Sequence, residues 1–69
     1  MMNEEAFNLS LRKFLKTFGV TAQREIEEAV RSAIAAGRLQ GTETLRAQAT
    51  VRLADVDLDH TIDGEITIG

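Results

Sequence analysis

The spacing of apolar residues changes once along the chain, near residues 41 and 42. Before that point apolar side chains recur every three or four residues, and after it they alternate with polar ones. The first spacing is typical of an amphipathic helix and the second of a half-buried strand. The sequence therefore predicts a helical half over residues 3–36 and a β-hairpin over residues 44–68.

Two helices are predicted within the helical half. The first runs over residues 3–18, with Asn3 as its N-cap, and carries an apolar stripe made of Phe7, Leu11, Phe14, Leu15 and Phe18. Gly19 is interpreted as a left-handed stop, and Thr21 as the N-cap of a second helix that ends near Gly37. The second stripe consists of Ile26, Val30, Ala33 and Ile34. The link between the two predicted helices, at residues 19–21, is so short that it predicts an αα-hairpin or a sharp corner.

The hairpin pattern also predicts a strand register. Apolar residues occupy odd positions from Leu45 to Leu53 and even positions from Val56 to Ile68, so a turn is expected over residues 54–57. If Leu53 faces Leu58, the outward-facing pairs are ionic, threonine–threonine or glutamine–aspartate, which favours this register. A second register, with Arg52 facing Asp57, is nearly as good.

The predicted fold is a single α+β domain over residues 1–69, with two helices packed on one face of an antiparallel hairpin. A two-stranded sheet is unstable by itself, and both of its edges would stay open. Edge-to-edge pairing of two hairpins would give a four-stranded sheet across a homodimer. The pattern therefore favours self-association.

Composition narrows the possible chemistry. The chain has no cysteine, which excludes thiol catalysis and thiolate metal sites. Asp55, Asp57 and Asp59 resemble the start of a calcium loop, but His60 and Ile66 occupy the positions that need Gly and Glu. His60 is the only histidine and is expected at the rim of the apolar face, without partners for nucleophilic catalysis. We expect no enzymatic activity, no cofactor and no metal.

The start of the chain lacks the features of a secretory signal, and no apolar stretch is long enough to span a bilayer, so a cytoplasmic location is expected. A net charge of −3 disfavours nucleic acid and anionic membranes as partners. A winged-helix arrangement is disfavoured too, because acidic residues occupy the second helix and the hairpin tip.

One surface of the first helix is a candidate interaction site. Leu9 lies opposite Phe18 on the helix, among the basic side chains of Arg12, Lys13 and Lys16. The leading functional hypothesis is a non-enzymatic protein-interaction module that also self-associates, with an unidentified protein partner. The alternative is a weak nucleic-acid-binding protein that uses this basic helix face.

The segment LRKFLKTFGVTAQREIEEAVR at residues 11–31, together with the pattern AxxxGxL at residues 33–39, resembles a known family. This is a group of short proteobacterial proteins classed as a domain of unknown function. The resemblance covers nearly the whole chain, and it implies a helical half followed by an alternating tail. It implies no activity, cofactor or catalytic residue.

Overall fold

A computed structural model describes all 69 residues of the chain. Helix α1 spans Glu4–Ala35, strand β1 spans Thr44–Leu53, a 3-10 turn spans Ala54–Val56, and strand β2 spans Leu58–Thr67. The chain divides into two compact units, Met1–Ala36 and Gly37–Gly69. The α+β class is confirmed, with a helical unit followed by an antiparallel hairpin.

The first unit is one uninterrupted helix of 32 residues, so the prediction of two helices is wrong. A left-handed stop requires a positive φ, and Gly19 is not among the glycines that have one. A glycine inside a helix costs only about 1 kcal/mol relative to alanine. The apolar stripe also stays in phase through this region, because Phe18, Ala22 and Ile26 follow one another at four-residue steps. A helix with an unbroken stripe has no reason to end here.

Both ends of the helix lie where the sequence predicts them. The side chain of Asn3 accepts a hydrogen bond of 3.0 Å from the backbone N–H of Ala6, which confirms Asn3 as the N-cap. Glu4 and Glu5 occupy the first turn, at the positive end of the helix dipole. At the other end the C-cap is Ala36, and Gly37 follows with a φ of 80°, the left-handed conformation expected of a stop.

The two strands pair in the favoured register along their whole length. Leu53 lies opposite Leu58 at the turn, and Arg52 lies opposite Asp59. The second register, which would have set Arg52 against Asp57, is therefore wrong. Ala54–Val56 form the predicted turn, which Asp57 closes in a left-handed conformation with a φ of 54°. The backbone N–H of Asp57 donates to the carbonyl of Ala54 at 3.2 Å.

The outer face of the hairpin carries the polar cross-strand contacts that the register predicts. They are a hydrogen bond of 3.0 Å between the Gln48 amide and the Asp63 carboxylate, one of 3.3 Å between the hydroxyls of Thr50 and Thr61, and an ion pair of 3.5 Å between Arg52 and Asp59. Both side chains of the ion pair are largely exposed, and such pairs contribute about 1 kcal/mol at most. The contacts therefore fix the register more than they stabilise the hairpin.

The inner face of the hairpin and one side of the helix are apolar, yet no side chain of the protein is buried. Phe14 is 59% exposed on the helix and Ile62 is 54% exposed on β2. A single helix or a two-stranded ribbon cannot by itself surround a side chain, because a core needs two packed layers. Packing of the helix on the hairpin face, and the four-stranded sheet across a dimer, stay predictions.

Candidate interaction surfaces

The apolar side of α1 forms a continuous band that we call the helix stripe. It follows from the unbroken helix, since about 100° of rotation per residue keeps its members within about 160° of arc. The members are Phe7, Leu11, Phe14, Leu15, Phe18, Ala22, Ile26, Ala29, Val30 and Ala33. Nearly the same positions recur after 11 residues, a period that lets an apolar band run along a helix with little drift. The stripe is about 39 Å long at a rise of 1.5 Å per residue.

The two halves of the helix stripe differ in bulk. The N-terminal half carries all three phenylalanines of the chain, whereas alanine makes up most of the C-terminal half. A shallow depression lies where the halves meet, lined by Phe14, Thr17, Phe18, Thr21 and Ala22. The N-terminal half of the stripe therefore presents large side chains, and the C-terminal half leaves room beside its small ones.

The predicted basic site lies on the other side of the same helix. A second shallow depression brings Leu9 and Arg12 together, and Glu5 and Asn8 complete its lining. Lys13 and Lys16 do not line it. Leu9 is 71% exposed, and Val20, which is 11 residues further on and so on nearly the same side of the helix, is also exposed. The carboxylate of Glu5 beside Arg12 lowers the net positive charge of this surface. The surface therefore gives no support to the alternative hypothesis of a nucleic-acid-binding protein.

The inner side of the hairpin forms a second apolar surface, which we call the sheet face. It comprises Leu45, Ala47, Ala49, Val51, Leu53, Leu58, His60, Ile62, Gly64 and Ile66. His60 lies on this face opposite Val51, as predicted, and is exposed. Gly64 lies opposite Ala47, and a Cβ at Gly64 would meet no atom within 4 Å. Neither residue of this pair has a side chain larger than a methyl group, so the sheet face is lower here than at the neighbouring pairs.

The acidic residues near the turn do not gather into a site. No group of three or more His, Cys, Asp or Glu side chains is placed so that it could hold a metal ion. Asp59 pairs with Arg52, and Asp57 closes the turn through its backbone. The interpretation of the acidic run as a solvated turn followed by a strand face agrees with this geometry.

Sequence reasoning missed the role of Glu43, which organises the segment before β1. Its carboxylate accepts backbone hydrogen bonds from Gln40 at 2.9 Å, Gly41 at 3.0 Å and Thr42 at 3.2 Å. The hydrogen bond from Gln40 is the main reason that the pKa of Glu43 is lowered. The carbonyl of Glu43 also accepts from the N–H of Ile68 at 3.1 Å, which ties the two open ends of the hairpin together.

We expect the stability of the hairpin to depend on the ionisation of Glu43. Folding lowers the pKa of this carboxylate, so the ionised carboxylate adds to the free energy of unfolding. This contribution is complete at a pH above the pKa of glutamate in the unfolded chain. It is lost as the pH falls through the lower pKa of the folded state. Glu43→Gln should therefore be less stable than the wild type at neutral pH, and the gap should close in acid. Urea unfolding across this pH range measures the gap.

Glu65→Gln is the matched control for Glu43, because the Glu65 carboxylate lies on the polar face of β2 and accepts no hydrogen bond. Its free energy of unfolding should follow the wild-type curve more closely. A constant gap between wild type and Glu43→Gln at every pH would contradict the capping role.

The fold and these surfaces define a small α+β protein built from one amphipathic helix and one hairpin, in which no helix is both long and apolar enough to cross a membrane. The chain belongs to the family described as "Family of unknown function (DUF6494)", which matches residues 2–69. No curated protein and no solved structure matches the chain. The resemblance to a family of unknown function is thus confirmed, and its proteobacterial origin stays a prediction.

Proposed function

We propose that this protein is a small non-enzymatic interaction module that associates with a second copy of itself. The observation that carries the proposal is that each unit presents a complete apolar face while no side chain is buried. Most of the stability of helices in proteins comes from packing of an amphipathic face, and an isolated two-stranded hairpin is marginal at best. Both faces therefore need cover for the chain to hold a stable structure.

The lengths of the elements favour a partner chain as part of that cover. At 1.5 Å per residue, the 32 residues of α1 extend over about 48 Å. At about 3.4 Å per residue, the ten residues of each strand extend over about 34 Å. Even in the best alignment, one hairpin would leave about 14 Å of its own helix without cover. The uncovered part of the helix is left for a partner chain.

The hairpin offers a symmetric way to bring two copies together. With two strands in the sheet, each strand has one unpaired edge. A two-fold axis beside one edge would join two hairpins into a four-stranded sheet about 19 Å wide, at about 4.8 Å per strand. Two helices, each about 10 Å across, have the width to cover one face of such a sheet.

Sedimentation and thermal unfolding over about a hundredfold range of concentration test self-association. We expect a species of about twice the 7.6 kDa chain mass and a midpoint temperature that rises with concentration, because only the folded state associates. A 7.6 kDa species whose midpoint temperature is independent of concentration would overturn the proposal. The measurement uses the unmodified chain, so no variant can fail for reasons of its own.

A further inference from the structure

We infer that two copies join through the outer edges of their β1 strands, in antiparallel orientation, with the two Gln48 residues opposite each other at the two-fold axis. The outer edge of a strand is the side that faces away from the other strand of the hairpin. This inference rests on the proposed self-association, and it specifies which edge forms the contact and in which register. Charges on the polar face exclude the edge of β2 and select one register for the edge of β1.

The outer edge of β1 presents backbone groups that are ready to pair. In an antiparallel ladder, residues that exchange backbone hydrogen bonds alternate with residues that do not. The N–H of Ile68 donates to the carbonyl of Glu43, so the odd-numbered residues of β1 bond to β2. The backbone groups of its even-numbered residues therefore point away from β2, and no backbone hydrogen bond outside the hairpin ladder engages them. These residues are Thr44, Arg46, Gln48, Thr50 and Arg52.

The outer edge of β2 carries carboxylates that oppose pairing with its own copy. By the same alternation, its outward backbone groups belong to odd-numbered residues, whose side chains lie on the polar face and include Asp59, Asp63 and Glu65. Every antiparallel register that matches the two faces and pairs at least seven of the ten residues sets a carboxylate directly opposite a carboxylate. Depending on the register, Asp63 meets Asp59, Glu65 or Asp63 of the copy, or Asp59 meets Glu65. Like charges in that position are destabilising, and charged edges keep strands from pairing.

The outer edge of β1 has a long register without such a conflict. Its only charged side chains are Arg46 and Arg52. Two registers match the faces and pair nine of the ten residues, one centred on residue 48 and one on residue 49. The register centred on residue 49 sets Arg46 opposite Arg52 of the copy, whereas the register centred on residue 48 sets no like charges opposite each other. The polar pairs of the latter are Arg46 with Thr50, Arg52 with Thr44, and Gln48 with Gln48 of the copy.

The acidic strands lie on the outside of the resulting four-stranded sheet. Each arginine keeps the acid that faces it within its own chain, since Arg52 pairs with Asp59 at 3.5 Å and Arg46 lies opposite Glu65. The two β2 strands are three strand spacings apart, or about 14 Å, which exceeds the range of about 10 Å over which exposed charges interact. The β1 contact therefore keeps the carboxylates of the two copies apart.

The same register joins the apolar sides of the two hairpins into one face. It sets Leu45 opposite Val51 and Ala47 opposite Ala49 of the copy, all of them members of the sheet face. The five pairs of even-numbered residues exchange two backbone hydrogen bonds each, about ten in total. The two helices of a dimer then have one uninterrupted apolar face to cover.

Spin-label distances on the full chain test which edge forms the contact. The protein has no cysteine, so a single introduced cysteine carries one label in each copy. Gln48→Cys and Asp63→Cys are a matched pair, because these exposed residues lie opposite each other on one hairpin. In the inferred dimer the two backbones are about 5.5 Å apart at residue 48 and about 14 Å apart at residue 63. We therefore expect the two labels of Gln48→Cys to lie about 9 Å closer together than those of Asp63→Cys.

Every other result overturns the inference, and the results are distinguishable. The shorter distance at residue 63 would show pairing through β2. Long distances for both variants in a dimeric sample would show association away from the hairpin edges, and so would leave the proposed self-association standing. Absence of any dipolar coupling in a sample that sediments as a monomer would remove both proposals together.

Gln48→Lys tests the register without labels. Within its own chain the new lysine faces the carboxylate of Asp63, so the hairpin keeps a favourable cross-strand pair. At the two-fold axis two lysines lie directly opposite each other, so the dimer should dissociate several-fold more readily in sedimentation measurements. In the register centred on residue 49 the lysine would face Thr50 instead. An unchanged dissociation constant would therefore contradict the inferred register.

Asp63→Asn is the matched control for Gln48→Lys. Its amide can still bond to Gln48, and residue 63 lies away from the inferred contact, so the dissociation constant should stay within about twofold of the wild type. If the copies paired through β2 instead, this variant would relieve repulsion between carboxylates and tighten association. A tighter dimer for Asp63→Asn would thus overturn the inference.

Discussion

Replacing Ala22 with proline should disrupt the helix in its middle and lower the free energy of unfolding by about 3 kcal/mol or more. Ala22 lies deep inside α1, which spans Glu4–Ala35. Proline there has no N–H to donate to the carbonyl of Phe18, and its ring clashes with that carbonyl. In the two-helix interpretation, residue 22 would be the first helical position after the Thr21 cap, where proline is well tolerated. Helical circular dichroism and urea unfolding measure the effect.

Glu4→Pro is the matched control for this substitution. Glu4 directly follows the Asn3 cap, so it is the real first position of α1. Proline at that position should cost less than about 1 kcal/mol, mostly through the loss of a favourable charge near the helix dipole. Equally mild effects of proline at residues 4 and 22 would show that the helix is interrupted near Gly19.

The helical half was predicted correctly in class and at both ends, but wrongly in its middle. Asn3 and Gly37 lie where the apolar pattern begins and ends, so local signal and periodicity agree there. Gly19 and Thr21 supply a stop and a cap in the middle of a stripe that keeps its phase. The penalty for glycine is about 1 kcal/mol, while ending the helix would forfeit backbone hydrogen bonds on both sides. An apolar stripe that keeps its phase across a glycine is therefore stronger evidence for one continuous helix than the glycine is for a helix end.

The hairpin was predictable almost residue by residue, because two separate patterns determine it. The change from odd to even apolar positions locates the turn, and the outward pairs choose the register. The alternative register kept an ionic partner for Arg52 but lost the pairing of Thr50 with Thr61 that the structure shows. The loop held by Glu43 was not predictable in this way. Its carboxylate contacts three successive backbone N–H groups, and no side-chain pattern records where those groups point.

The candidate surface was the least predictable feature. The prediction of a site at Leu9 rested on one exposed apolar residue among basic ones, yet an isolated exposed leucine is ordinary. The helix stripe was predicted only as two short segments, and its gradient from phenylalanine to alanine appears only on one continuous helix. The predicted helix end at Gly19 thus divided one continuous apolar surface into two.

Replacing Ile62 with lysine should abolish the cooperative unfolding transition if the sheet face is covered in solution. Ile62 lies near the middle of that face, opposite Ala49. Removing a buried isoleucine costs about 1.5–3 kcal/mol, and enclosing an unpaired ammonium adds to this cost. A chain of 69 residues has about 5 kcal/mol of stability in total, so the sum removes most of it. Urea unfolding followed by circular dichroism measures the loss.

Thr61→Lys provides the comparison, since it inserts the same side chain one position earlier on the same strand. Residue 61 lies on the polar face, with Asp59 and Asp63 two positions to either side, so its lysine stays in water near two carboxylates. Because the substitution also removes the hydrogen bond to Thr50, the free energy of unfolding should fall by no more than about 1 kcal/mol. Similar values for the two lysine variants would mean that both faces of the hairpin meet solvent equally. That result would contradict the proposal that the sheet face is covered, either by the helix of the same chain or by a second copy.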